Sequence, residues 1–275
     1  MLTGRVFADL RKYPKLVGGI NETSTKAGID FYNAVLDFDK REDLQQPNGV
    51  WDLLTCEASE MAKLAETTYR DVNIALANQF AKFAETANID IAKVISASNS
   101  QPYSHIHQPG IAVGGHCIPI YPRFYLWNDP EATVVRAARE ANAGMPKHAV
   151  SILNTELGNL AGKKVAVLGI SYRGGVKESA FSGVFPTVTA LKSAGANVFV
   201  HDPMYTDDEI KALGFEVYKI GSQIDGVILQ ADHAEYKKLS AKDFPDAKCV
   251  VDGRRALEKA NFAGISLRVI GAPAR

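Results

Sequence analysis

The chain has 275 residues, enough at roughly 150 per domain for about two domains and a sizeable core. Its content of 46% apolar, 23% charged and 9% aromatic residues excludes a disordered tail, a coiled rod or a collagen-like fibre. The 31 Lys and Arg balance the 31 Asp and Glu, so no net field draws the chain to nucleic acid or anionic lipid, and phosphate binding must be local.

The opening Met1-Leu2-Thr3-Gly4-Arg5 lacks the pattern of a signal peptide, and no run of about 18 apolar residues occurs, which predicts a cytoplasmic protein with no membrane segment. Residues 1–54 hold an apolar stretch, Leu16 to Ile20, and a helical pattern from Glu22 to Leu36, too few elements to bury a sheet alone. From Glu57 to Asn88 a long helix is predicted, with Met61, Leu64, Thr68, Val72, Leu76, Phe80, Phe83 and Ala87 as its recurring face. Such a helix serves as the spine of a domain or of a dimer interface. Ser96 to Trp127, dense in Pro and Gly, reads as an ordered loop of about 30 residues. Asp129-Pro130 predicts a helix start, and Met145-Pro146 a second one running to about Leu160. Beyond Gly162 the apolar runs at Val165–Ile170, Val198–Val200, Val227–Leu229 and Val250–Val251 predict a doubly wound parallel sheet, so the chain is α/β with a helical part followed by a Rossmann-like part. Ligands of such sheets lie beyond the carboxyl ends of the strands, here Ser171-Tyr172-Arg173, His201-Asp202-Pro203, Ala231-Asp232-His233 and Asp252 to Arg255.

The densest chemistry is Gly114-Gly115-His116-Cys117-Ile118-Pro119. Two glycines let backbone approach a ligand and a proline fixes the chain, which would present Cys117 as a nucleophile; a buried cysteine at a tight turn fits equally well. Lys63, Thr67 and Asp71 share a helix face, ordinarily a solvated stripe, although a lysine beside a reactive cysteine would steady an oxyanion or favour the thiolate. His105, His107, His116 and Cys117 raise a zinc site only weakly, because the spacing is unspecific and no acidic ligand adjoins. Gly169-Ile170-Ser171-Tyr172-Arg173-Gly174 is not G-x-G-x-x-G, and that dinucleotide fingerprint occurs nowhere in the chain. Tyr172, Arg173 and Lys177 offer a flat ring and two cations suited to a base and a diphosphate, or simply an exposed basic turn.

Several segments, in order, resemble the UDP-glucose and UDP-N-acetylmannosamine dehydrogenase family. They are Val17-Gly18-Gly19-Ile20-Asn21, Glu60 to Glu66 with Tyr69 to Ala75, Pro109-Gly110 with Val113 to Pro119, Val167 to Tyr172, and Val251-Asp252-Gly253-Arg254. The His-Cys-Ile-Pro form is similar to the N-acetylmannosamine branch. The resemblance implies a remnant of the N-terminal NAD-binding domain at 1–54, a helical dimerisation domain with the cysteine loop at 55–160, and a UDP-binding Rossmann-like domain at 161–275. It also implies a shortened protein or half of a split enzyme, with a separate NAD-binding polypeptide as a partner beside the UDP-sugar and a second copy of the chain.

The activity the resemblance implies is oxidation of the C6 alcohol of a UDP-sugar to the uronate with NAD, through a thioester on Cys117, with no metal. Lys63 and Thr67 then act beside Cys117, while Tyr172, Arg173, Lys177, Arg254 and the Gly114 backbone bind substrate. The chain departs from the family at Thr67, where asparagine is common, and at Tyr121, where many members have aspartate. Those departures keep open a rival reading, a non-catalytic dimerising relative that binds nucleotide-sugars.

Overall fold

The computed structural model describes residues 5–274; Met1 to Gly4, read above for a leader, and Arg275 lie outside the described residues. The chain forms two compact units, one up to Thr67 and one from Thr68 onward, and the division falls inside a single long helix.

The first unit contains helix α1 (Val6–Asp9), strand β1 (Lys15–Gly19), helix α2 (Glu22–Val35) and strand β2 (Val50–Thr55). Strands β1 and β2 pair in parallel, Leu16 opposite Trp51, so α2 is the crossover of a small β-α-β unit. Helix α2 starts directly after the strand because Asn21 and Ser24 cap each other reciprocally: the Asn21 side chain accepts the Ser24 N–H at 2.9 Å and Ser24 Oγ accepts the Asn21 N–H at 3.1 Å. The sequence pointed to one strand here and the structure has two; Asp52 interrupts the apolar run of β2 and hides it. Phe7, Ile20, Phe31 and Leu54 are left exposed.

Helix α3 (Cys56–Thr86) follows, then α4 (Ile91–Ser98), α5 (Tyr121–Asn128), α6 (Thr133–Ala143) and α7 (Met145–Leu157). The irregular stretch is thus shorter than its Pro and Gly content suggested, because α4 persists to Ser98 and Pro122 sits in the first turn of α5, where no N–H is needed. Helix α6 begins at Thr133, not at Asp129-Pro130, whose residues form the preceding turn. The remaining elements are β3 (Lys164–Leu168), α8 (Val184–Ser193), β4 (Asn197–His201), α9 (Asp207–Ala212), β5 (Glu216–Val217), β6 (Gly226–Leu229), β7 (Cys249–Asp252) and β8 (Ser266–Val269). All six of these strands run parallel in the order β5-β4-β3-β6-β7-β8, the doubly wound sheet expected.

Alternate residues of the buried strands face opposite layers. Val165, Val167, Ile228 and Val251 join Ala77, Ala81, Ile91, Ile95, Met145 and Leu153 from the helices. Ala166, Leu168, Val227, Leu229 and Val250 join Tyr218, Tyr236, Phe244 and Phe262 on the other face. The chain end closes the first layer: the Gly271 N–H donates to Glu85 Oε1 at 2.8 Å, and the Ile91 N–H donates to the Gly271 carbonyl at 2.9 Å. Only glycine fits there, since φ is +74° and a Cβ would lie 2.4 Å from Ile91 Cγ2.

The face of α3 that packs inward differs from the expected one. Ala77, Asn78, Ala81 and Ala84 are buried, whereas Leu76, Phe80 and Phe83 are exposed, Phe83 by 70%. Asp71, expected on a solvated stripe, is fully buried. Small residues let the helix lie close against the layer beneath it, and the large apolar side chains are left outward.

Candidate functional site

The order of the sheet reverses between β3 and β6, and the loops after these strands form the crevice where doubly wound folds bind ligands. The turn after β3 is tight because Gly169, at φ +109°, has no Cβ to strike Ala231, which would lie 2.4 Å away. Asp202, at the end of β4 and 2% exposed, fastens this turn. Its Oδ2 accepts the N–H groups of Ile170 at 2.7 Å and Ser171 at 3.1 Å, and the His233 Nε2–H at 3.1 Å. The Gly175 N–H donates to His233 Nδ1, which puts the ring hydrogen on Nε2. Burial pushes the Asp202 carboxyl up, but these donors outweigh it and hold it below the usual carboxylate value.

The Arg254 guanidinium spans the crevice. Its Nε donates to the Gln230 carbonyl at 2.7 Å, and its Nη2 donates to Gln230 Oε1 at 3.1 Å and to the Tyr172 carbonyl at 3.2 Å. Buried Asp252 sets the backbone beneath it, accepting the N–H groups of Arg254, Ala256 and Leu257. Desolvation lowers the pKa of Arg254, opposed by the charges of Asp232 and Asp252. The Arg173 guanidinium lies 5.7 Å from the centre of the Tyr172 ring, and its Nε donates to the Tyr172 hydroxyl at 3.3 Å.

The glycines of the cysteine loop lie on this cluster. A Cβ on Gly114 would sit 2.6 Å from Tyr172 Cβ, and one on Gly115, whose φ is +96°, 3.3 Å from the Tyr172 ring. The Gly115 N–H donates to the Ala180 carbonyl at 2.9 Å, and the Ile111 N–H to the Gly253 carbonyl at 3.0 Å. Cys117 is half-buried, and its carbonyl accepts the N–H groups of Ile120 and Tyr121, so the thiol-bearing residue begins the turn that becomes α5.

Gly114, Tyr172, Arg173 and Arg254 are therefore brought together, as their positions at loop and strand ends suggested. Lys177 is not part of that cluster: its ammonium pairs with Glu209 and lies 5.1 Å from the centre of the Tyr205 ring. The Glu209 carboxylate, in the first turn of α9, claims the cation, a partner no local pattern announces. Lys63 and Thr67 belong to the first unit. Lys63 Nζ lies 3.1 Å from Glu66 Oε2, and the buried Thr67 hydroxyl donates to the Lys63 carbonyl at 2.8 Å within its own helix. His116 pairs with Glu178, and among the described residues no three His, Cys, Asp or Glu side chains gather as a metal would require. Sequence reasoning missed Gln230, fully buried, whose Nε2 donates to the Ser171 carbonyl and Ser182 Oγ, each at 2.8 Å, while its Oε1 receives Arg254. The available signal was its place directly after the apolar run of β6.

Residues 57–144 match the central domain, and residues 166–259 the UDP binding domain, of the UDP-glucose/GDP-mannose dehydrogenase family. The chain belongs to that family. It is 32% identical to the UDP-N-acetyl-D-mannosamine dehydrogenase of Methanocaldococcus jannaschii, over 95% of this chain and 58% of that protein. Among solved structures, the UDP-D-ManNAc dehydrogenase of Pyrococcus horikoshii superposes with a TM-score of 0.82 at 28% identity, covering 98% of this chain and 63% of the other. The UDP-N-acetyl-mannosamine dehydrogenase Cap5O of Staphylococcus aureus gives 0.79 at 30% identity, covering 98% and 62%. The chain thus spans about three fifths of the length of these relatives.

The family is NAD-dependent, but the six-stranded sheet does not fit a dinucleotide. The Ile170 and Ser171 amides, placed where a pyrophosphate would accept them, are both taken by the Asp202 carboxylate, and an anion there would meet that charge.

Proposed function

We propose that this chain is the substrate-binding and thiol-bearing portion of an NAD-dependent UDP-sugar 6-dehydrogenase, and that its substrate is UDP-N-acetyl-D-mannosamine. The observation that carries the reading is the convergence of Arg254, Tyr172 and Arg173 in the crevice between β3 and β6, with Gly114 and Gly115 of the cysteine loop packed against Tyr172. A diphosphate is a dianion that Arg173 and Arg254 suit, and the Tyr172 ring is a platform for uracil. Gly114, with no side chain, brings the loop that carries Cys117 close against Tyr172.

In this reading the Cys117 thiolate adds to the aldehyde carbon at C6 of the sugar, forming a C–S bond while the carbonyl electron pair becomes an oxyanion. Lys63 steadies that charge, with Thr67 beside it once its hydroxyl is released from the Lys63 carbonyl. NAD supplies the hydride acceptor when bound, and we assign its site to a separate or adjoining NAD-binding polypeptide. We further propose a homodimer through the central helices, supported by the outward Leu76, Phe80 and Phe83 of α3 and by Trp127, 80% exposed. A helical domain over 55–160 and a UDP-binding domain over 161–275 follow the same reading, as does a cytoplasmic setting. No helix among the described residues is long and apolar enough to cross a membrane.

The rival, a non-catalytic nucleotide-sugar-binding relative, draws support from Thr67, whose hydroxyl serves its own helix. Calorimetric titration with UDP and with UDP-N-acetylmannosamine tests the shared part of both readings, and saturable heat is expected from each ligand. Absence of heat at millimolar UDP overturns both. Turnover after addition of an NAD-binding partner polypeptide, abolished by Cys117→Ser, separates the enzyme from its rival.

A further inference from the structure

Beneath the cysteine loop a line of buried side chains runs from α6 through α3 to Gly110. Asp71 Oδ1 accepts Arg139 Nη1 at 2.6 Å and Asn142 Nδ2 at 2.7 Å. Asn142 Oδ1 accepts Asn78 Nδ2 at 2.9 Å, and Asn78 Oδ1 accepts the Gly110 N–H at 2.9 Å. Asp71, Asn78 and Asn142 are 0%, 1% and 3% exposed. The direction of every bond is dictated from one end. A carboxylate only accepts, so Asn142 must turn its amide nitrogen to Asp71 and its oxygen to Asn78. Asn78 must then present nitrogen to Asn142 and oxygen to Gly110. Burial pushes the Asp71 carboxyl up, opposed by the charge of Arg139, the hydrogen bonds from Asn142 and Arg139 and the charge of Arg123, and the ion pair with Arg139 keeps it an acceptor.

Gly110 is where the relay meets the crevice. A Cβ there would lie 3.3 Å from Arg254 Nη1 and 3.3 Å from the Gly253 carbonyl, and the next residue, Ile111, donates its N–H to that carbonyl. We propose that the Asp71–Asn142–Asn78 relay fixes Gly110 against Arg254, making Asn78 and Asn142 positioning residues for the nucleotide crevice and for the loop that carries Cys117. This deepens the reading of that crevice as the UDP site. Neither asparagine touches the ligand; each acts through the loop backbone. A loop without regular structure has few ways to hold a register, and a polarised chain of buried amides holds it without filling the crevice with side chains.

Replacement of Asn78 by aspartate tests the relay through its polarity. At neutral pH, Asn78→Asp still offers an acceptor to Gly110 but turns a second acceptor toward Asn142 Oδ1, breaking the relay. When protonated, the same side chain donates O–H to Asn142 and accepts from Gly110, which restores it. UDP affinity of Asn78→Asp, measured relative to wild type at each pH, is expected to be about tenfold weaker at pH 8 and to recover toward wild type near pH 5. Asn78→Ala is expected to stay weak at both. A structural role without directed amides would leave the two variants alike across pH, and such parallel behaviour, or wild-type affinity in Asn78→Asp at pH 8, overturns the proposal.

Hydrogen exchange at Gly110 tests the relay independently of ligand. In wild type its N–H should exchange at least about tenfold more slowly than exposed loop amides. Exchange as fast as those neighbours overturns the relay even if the variants fail to fold. A wild-type chain that binds no UDP but protects Gly110 would overturn the crevice reading and leave the relay standing.

Discussion

Arg254 and Tyr172, 82 residues apart in sequence, are joined by a hydrogen bond of 3.2 Å from a guanidinium nitrogen to a backbone carbonyl. The bond crosses β6 and ties the end of β7 to the turn after β3, so the side chain assigned to the diphosphate also sets the turn that carries the aromatic ring. Arg254→Ala is expected to weaken UDP binding by roughly ten- to a hundredfold, the effect of about 1.5–3 kcal/mol for a charge-assisted contact, while circular dichroism stays native. Because the same substitution unpairs the carbonyls of Tyr172 and Gln230, the melting temperature should also fall. Unchanged affinity in titration calorimetry would remove Arg254 from the site.

The three thiols differ in surroundings, and their alkylation rates should differ with them. Burial pushes the Cys249 thiol up to about 12, which leaves almost no thiolate at neutral pH. Cys56 is raised by its hydrogen bond to the Glu57 carboxylate. Limited iodoacetamide treatment followed by peptide mapping is expected to label Cys117 first and Cys249 last. Faster labelling of Cys56 or Cys249 than of Cys117 would favour a purely structural turn at Cys117.

Gly114 has no spare volume beside it. A methyl group there would overlap Tyr172 Cβ at 2.6 Å and the Phe181 carbonyl at 2.9 Å, so loop or ring must move. Gly114→Ala is expected to lower stability by about 1–3 kcal/mol, as overpacking does, and to weaken UDP binding more than Gly158→Ala, whose Cβ meets nothing. Equal affinity in the two variants would show that the loop's contact with Tyr172 is irrelevant to the ligand.

Acid should weaken the fold through His201. Burial holds its imidazole below the usual 6.5, aided by Lys219 and His233 and opposed by Asp202. The unfolded chain therefore takes up this proton first, so the contribution is complete above pH 6.5 and is lost as pH falls through the lower folded value. His107, also held low by burial and by Arg70, adds in the same direction but is more exposed. Thermal melts should drop in midpoint as pH falls below about 6.5, and His201→Gln should make that acid limb shallower. An identical limb in the variant would assign the acid sensitivity to other groups.

The sheet was legible in the sequence wherever burial on both faces demanded unbroken apolar runs, as in Val165 to Leu168 and Val227 to Leu229. Glu216-Val217 is too short to show a period, and Ser266-Leu267-Arg268-Val269 alternates as a half-covered edge. The meeting of Tyr172, Arg173 and Arg254 was readable because each follows a strand end. The α3 face was misjudged because periodicity marks apolar residues without saying whether this chain or a neighbour covers them. Asp71 and Lys177 were misjudged for a related reason: their partners, Arg139 and Glu209, are 68 and 32 residues away, and no local pattern links them.

The bond between Gly271 and Glu85 spans 186 residues, nearly the whole length of the second unit. The helices made early in the chain can thus be locked onto the sheet only after the final strand has been laid down. The helical and sheet portions share one apolar layer and one late fastening, so they should melt in a single cooperative transition and not one after the other. Such long-range closure also makes folding slow, since the loop entropy is spent before the last contact repays it. A chain ended at Ile270 would keep every strand, yet lose the clasp that makes its two layers one body.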